Sequence, residues 1–212
     1  ILYSMFDTKK EAIEYIGRIS QVYKMPCKSF NLPATECHIG KTLVKNKRST
    51  CFGCYATKGF YNMPTHIKSM YRNYKKLNKK YWVKAFKKIL EDEKYFRWHD
   101  SGDLKNLKHL VNIARICRLT PDCKHWLPTR EIGVIKQFFN SGYKVPSNLT
   151  IRVSAYFRDM KASNIYNLPT STIQDKKKPI GHSCKVEKQG GKCLNCRNCW
   201  NKQIKNISYK LH

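Results

Sequence analysis

Acidic side chains are scarce in this chain: 14 Asp and Glu stand against 42 Lys and Arg, a formal net charge of +28. That imbalance excludes a charge-neutral surface and favours polyanionic partners, meaning nucleic acid or nucleotides. Lys, Asn, Ile and Tyr are all abundant, the usage of an AT-rich genome, so composition alone does not assign a nucleic-acid role. Also missing is any apolar run near the roughly 18 residues a membrane span needs, and no membrane association is expected. The first residues run straight into a charged helical pattern without a secretory signal, which points to a reducing compartment. In such a compartment ten cysteines mean metal binding or catalysis in place of disulfides. A chain of 212 residues can bury one respectable core, so one main domain with small additions is expected.

What the chain does have is cysteine in two groups. Cys184, Cys193, Cys196 and Cys199 include two Cys-x-x-Cys steps that share Cys196, enough to present three thiolates from one tight loop, with Cys184 completing a tetrathiolate set. Soft sulfur donors at this spacing select zinc, copper(I) or an iron–sulfur cluster. The consecutive repeat favours iron–sulfur, because structural zinc takes two well-separated pairs. The earlier group pairs Cys51 with Cys54, and Cys37 is the natural third ligand. Three thiolates would leave one iron of a 4Fe–4S cluster open to a small-molecule substrate or cofactor. Cys27 is the alternative fourth ligand and would close that site. Cys117, on the apolar face of a helical pattern, and Cys123, without a partner at metal spacing, read as structural.

The pattern of elements is that of an α/β protein. Thr8-Lys-Lys-Glu11 reads as a capping box opening a helix over about 8–22. Residues 25–61 look irregular and ligand-bearing, and a basic amphipathic helix is predicted over 64–92. Strands are predicted at 95–99, 124–127 and 149–155, with helices between them, the second capped by Thr129 and ended by Gly142. This spacing means βαβ units on a parallel sheet, curled into an open sheet or partial barrel. Residues 160–183 read as a linker. Three segments follow: an N-terminal helix (1–24), a βα core with the first cysteine loop (25–160), and a linker with a C-terminal cysteine-rich appendage (161–212).

Chemistry in parallel α/β folds gathers at the carboxyl ends of strands. The strands here end in His99, Asp100, Ser101 and Asp103, in Thr129 and Arg130, and at Ser154. The first six are the candidate catalytic residues, and Asp103 and Ser154 the candidate cofactor-binding ones. Each has a plainer reading: Asp103 as a helix cap, His99 as a packed imidazole, Arg130 as the partner of Glu131. Their convergence on one rim is the argument for a site.

Leu-Pro-Ala at 32–34, Cys37-x-x-Gly, Cys51-x-x-Cys54-Tyr-Ala-x-Lys-Gly-x-Tyr, Arg-Trp-His-Asp-Ser-Gly-Asp-Leu at 97–104, His-Trp-Leu-Pro-Thr-Arg-Glu at 125–131, Pro-Ser-Asn-Leu at 146–149, and Cys-x-x-Cys-x-x-Cys-Trp before Tyr-x-x-His occur in order. Together they resemble the phage gene-product-eighty-eight family over about Met25 to His212. The resemblance implies a viral protein working in the host cytoplasm, with Cys37, Cys51, Cys54, Cys184, Cys193, Cys196 and Cys199 as its cysteine framework. A looser resemblance is to radical SAM enzymes. In these, three cysteines hold a 4Fe–4S cluster, an acidic turn holds the amino group of S-adenosylmethionine, and some members add a C-terminal auxiliary cluster. Thirteen residues separate Cys37 from Cys51, whereas the radical SAM motif spaces those cysteines closely.

The expectation is therefore an iron–sulfur enzyme with a radical-SAM-like partial βα barrel, two 4Fe–4S clusters and S-adenosylmethionine as a candidate cofactor. One alternative uses the open iron as a Lewis acid in a hydrolase or lyase, with His99 or Asp100 shuttling protons. The other is a non-catalytic, metal-stapled protein that binds nucleic acid.

Overall fold

The computed structural model describes residues 5–211; residues 1–4 of the expected N-terminal segment and His212 of the Tyr-x-x-His motif lie outside the described residues. The capping box forms as the sequence predicts. Thr8 accepts the Glu11 backbone N–H at 3.2 Å and Glu11 returns a carboxylate oxygen to the Thr8 N–H, opening α1 at Lys9–Ile16. The helix stops well short of 22. Gly17 takes a positive φ of 124°, and Asn73 then grips the chain by accepting from the Arg18 N–H at 2.7 Å and donating to Arg18 O at 3.0 Å.

Ser20–Gln21 (β1) pairs antiparallel with Lys28–Phe30 (β2), and from there every pairing is parallel. The remaining strands are β3 (Tyr95–Trp98), β4 (Lys124–Thr129), β5 (Leu149–Ser154), β6 (Thr170–Gln174), β7 (His182–Ser183) and β8 (Asn206–Lys210). They form one sheet in the order β1-β2-β3-β4-β5-β6-β8-β7. The helices are α2 (His38–Leu43), α3 (Pro64–Lys76), α4 (Trp82–Leu90), α5 (Leu107–Leu119) and α6 (Ile132–Asn140). The mostly parallel α/β architecture thus agrees with the sequence pattern.

Three stretches differ from it. The long helix expected over 64–92 is two helices, because the chain turns at 77–81 so that Leu77 and Trp82 are both buried. The irregular stretch 25–61 holds β2 and α2. The expected linker 160–183 supplies β6 and β7, with β6 pairing directly to β5. Strand β6 escapes a hydropathy reading because hydroxyls fill its buried positions: Ser171 Oγ lies 3.0 Å from Ser154 Oγ, and Thr172 Oγ1 lies 2.7 Å from Ser208 Oγ. Hydroxyl pairs satisfy each other where methyl groups would otherwise pack.

Period-two alternation sorts the sheet into two faces. Leu149, Ile151 and Val153 of β5, Leu127 of β4, and Phe96 and Trp98 of β3 join the core with α1, α4, α5 and α6. The opposite face carries Arg97, Trp126, Thr150 and Arg152, and the C-terminal cysteine segment lies over it. There Trp200 packs with Trp126, Cys27, Met25 and Ile207, and Thr150 donates to Trp200 O at 2.7 Å.

Three imidazoles are sealed inside the helical side. His125 stacks on Trp98 at 6.1 Å and shares a 2.9 Å hydrogen bond with Thr120; His109 meets Trp82 and His99 edge-on at 5.7 and 5.1 Å. Burial pushes His109 and His125 down to about 3 and His99 well below its ordinary value. Their neutral forms belong to the folded state, so this stability is full above pH 6.5 and is lost as pH falls through 6.5 toward 3. Denaturant unfolding followed below about pH 6 is expected to lose about 1.4 kcal/mol per pH unit for each imidazole. His109→Phe should reduce the slope by one proton, and a midpoint that does not move with pH would contradict the assignment.

Candidate metal centres

The first cysteine group is assembled from segments that only the fold brings together. Cys37 leads into α2, whose Ile39 N–H donates to buried Glu131 at 2.9 Å, and Glu131 in turn precedes α6. Cys51 and Cys54 sit on a loop fastened to the end of β5. The Thr50 N–H donates to Tyr156 O at 2.9 Å, Ser49 pairs with Phe157, and Arg158 donates to Ser49 O at 3.2 Å. Ser49 Oγ accepts the N–H groups of both Cys51 and Phe52. Cys37 and Cys51 converge over Gly40, where a Cβ would stand 2.8 Å from Cys37 Cβ, 3.8 Å from its Sγ and 4.0 Å from the Cys51 Sγ. Any larger residue would fill the cradle between the two sulfurs.

The carboxyl ends of the strands lie against this loop. Asp103 accepts from Thr129 Oγ1 at 2.5 Å, from the Leu104 N–H at 2.7 Å and from the Arg130 N–H at 2.9 Å. Burial lifts its carboxyl to about 6 against those three hydrogen bonds. Arg130 Nε reaches Thr50 Oγ1 at 2.9 Å. Burial first, then the charges of Asp103, Cys54 and Cys51, raises the Cys37 thiol, with Arg130 opposing; burial raises Cys51 as well. Buried thiols held protonated in this way lose their protons to a metal cation.

Of the sequence-derived residues, Asp103, Thr129 and Arg130 therefore stand beside Cys37 and Cys51. Thr129 is the last residue of β4, and Glu131 takes the position before α6 that Thr129 was expected to cap; the Thr129 hydroxyl donates to Asp103 and accepts the Glu131 N–H at 3.0 Å. Asp100 faces the Cys54 side: it is ion-paired to Arg97 at 2.5 Å, accepts from the Tyr61 hydroxyl, and its carbonyl accepts from Tyr55 OH at 2.5 Å. Ser101 is a structural tie, donating to Leu32 O at 3.0 Å next to Gly102, whose φ of +84° and close approach to Leu32 admit no side chain. His99 turns into the helical core with both ring nitrogens unpartnered among the described residues, away from the cysteines. Ser154 faces Ser171 in the sheet.

The second group lines one cavity of about 240 Å³ through Cys184, Cys193, Cys196 and Cys199, together with Met25 and His182. Burial pushes Cys199 up to about 11, and its sulfur lies 3.3 Å from the Tyr209 hydroxyl. Cys27 belongs here. It packs with Cys199 and Trp200, and its thiol, pushed up to about 12 by burial, feels the charges of Cys193 and Cys199. That placement removes it from the first group.

Arg152, which no cysteine motif signals, lies buried beside the second group. Fully buried, it donates to the carbonyls of Ile204, Thr170, Asn201 and Asn198 at 2.9 to 3.4 Å and pairs with no carboxylate among the described residues. A buried cation without a counter-ion is costly, and the titratable groups that act on it are Tyr209 and Cys199. Among the described residues no three His, Cys, Asp or Glu side chains stand close enough to hold one metal ion. Both groups are thiolate-rich, a donor chemistry that suits zinc, copper(I) or an iron–sulfur cluster.

A family model described as gene product 88 matches residues 5–202. The chain belongs to the gene product 88 family, the phage family indicated by its motifs. The match takes in α1, which the motifs leave out, and stops before β8. No curated protein and no solved structure matches the chain. No helix among the described residues is long and apolar enough to cross a membrane.

Cys27→Ala is expected to leave the metal content and absorbance of the first group unchanged, because Cys27 lies with the other cysteines. Selective loss of the Cys37, Cys51 and Cys54 signal in that variant would refute the placement.

Proposed function

We propose that this protein is a virus-encoded iron–sulfur enzyme of the host cytoplasm. Cys37, Cys51 and Cys54 hold an open-iron 4Fe–4S cluster, and Cys184, Cys193, Cys196 and Cys199 hold a closed one. The observation that carries this reading is the convergence of Cys37 and the Cys51/Cys54 pair with Asp103 and Arg130 at the carboxyl ends of β3 and β4, while Cys27 sits in the other group. The sequential strand order β2-β3-β4-β5-β6-β8 supports a partial-barrel arrangement around that rim.

When bound, an open-iron cluster supplies an exchangeable Lewis-acidic position or, with S-adenosylmethionine and an electron, a source of radicals. The chain's own groups have separate tasks. Asp103, with its carboxyl near 6, gives or takes a proton at neutral pH. Arg130 presents a guanidinium to an anionic substrate group, with its Nε fixed on Thr50. The paired Tyr55 and Tyr61, whose rings lie 5.6 Å apart, wall the Cys54 side and limit water. The near-neutral Asp103 favours a second reading, a cluster-dependent hydrolase or lyase without radicals, in which this carboxyl replaces His99 or Asp100 as the proton shuttle.

Protein purified without oxygen is expected to be brown and to carry about eight irons, the content of two 4Fe–4S clusters. Cys51→Ala should remove about half of that iron, and colourless protein with stoichiometric zinc would refute the proposal. Adding S-adenosylmethionine and a reductant separates the two chemistries: 5′-deoxyadenosine supports the radical route, and its absence from iron-replete protein supports the hydrolase or lyase.

A further inference from the structure

We propose that the loop carrying Cys51 and Cys54 binds single-stranded nucleic acid, which assigns a substrate class to the same rim; only the chemistry done there, and not the binding, rests on the iron–sulfur reading. Residues 37–90 contain no Asp or Glu but hold 14 Lys and Arg, so the stretch that builds the first cysteine group is the most one-sided in the chain. On its surface Lys45, Lys47, Arg48, Lys58 and Lys68 are exposed, and none is ion-paired among the described residues.

Flat apolar rings stand among these cations. Phe52, Tyr55 and Phe60 expose 40, 55 and 62 % of their surface, unusual for side chains that could have joined the core. They are held in place: the Tyr55 hydroxyl is tied to Asp100 O, Phe60 rests on His66 at 4.3 Å and on Tyr61 at 6.4 Å, and Tyr61 meets Tyr55 at 5.6 Å. The result is an aromatic row running from the start of α3 to Cys54, with Arg158 over the Phe52 ring at 5.9 Å on the far side. Fixed exposed rings among unpaired cations suit splayed bases on a phosphate backbone, because every base has a face to stack and every phosphate a charge to neutralise. A duplex hides its base faces and leaves only the charge to read. An acidic protein would match the lysines without using the rings.

The test is fluorescence anisotropy with labelled oligothymidylate and oligouridylate, a duplex of equal length, and heparin as a competitor. Both single strands should bind more tightly than the duplex, and a stronger signal from one of them identifies DNA or RNA. Phe52→Ala and Phe60→Ala should each weaken single-strand binding by roughly tenfold, with iron content unchanged, since a stacked base contributes about 1–3 kcal/mol. Lys58→Glu should weaken binding and flatten its dependence on salt. Equal affinity for duplex and single strand, or aromatic variants that bind as the wild type does, would overturn the proposal. Single-strand binding by protein that purifies without iron leaves this proposal standing, and in that case it is the missing iron, not the binding, that refutes the iron–sulfur reading.

Discussion

A guanidinium sealed at the centre of the sheet sets the terms for the rest of the molecule. Arg152 lies midway along β5 on the face away from the helices, and its donors cannot reach water. Carbonyls from β6 and from residues 198–204 accept from its two terminal nitrogens, while Nε has no partner among the described residues, so the C-terminal segment must lie flat across that face. Once it does, Cys199 and Trp200 are buried against Trp126 and Cys27, and the thiols of Cys184, Cys193 and Cys196 gather around the adjoining cavity. This buried charge has no carboxylate partner among the described residues, and Tyr209 and Cys199 are the titratable groups that face it.

The carboxyl edge is organised by a complementary device, a buried acid in place of a buried base. Asp103 ties the turn after β3 to the turn after β4, and Glu131 on that second turn holds the first turn of α2. Each of these carboxylates accepts backbone N–H groups, so their side chains act as hinge pins for the loops that carry Cys37 and Cys51. Chemistry at such an edge is positioned by the sheet and varied by the loops.

The two cysteine groups are physically connected. Arg97 projects from β3 on the face shared with Arg152, ion-pairs with Asp100 beside Tyr55 and Tyr61, and lies 4.7 Å over Trp126 with Met25 against its other side. One side chain therefore touches the walls of both groups. A change of charge at either end is felt through a low-dielectric path that salt screens poorly.

The sequence by itself determined the spacing of the cysteine motifs, the parallel α/β alternation, the capping box of α1, and the strand-end motifs of β3 and β4, because each rests on local spacing or on hydropathic period. Tertiary structure alone decided which thiol belongs where. Cys27 is closer in sequence to Cys37 than to Cys199, yet β2 carries it to the sheet face that the C-terminal segment covers. It also decided that 160–183 is sheet and not linker, since paired hydroxyls replaced the apolar alternation a strand normally displays. Arg97 and Arg152 look like ordinary members of a basic chain until the fold buries them. His99, which reads as a strand-end base, packs as a neutral imidazole because its positive φ of 59° turns it into the aromatic core. Motifs name donors, but burial and long-range pairing decide which of them meet, and those depend on contacts between residues far apart in the chain.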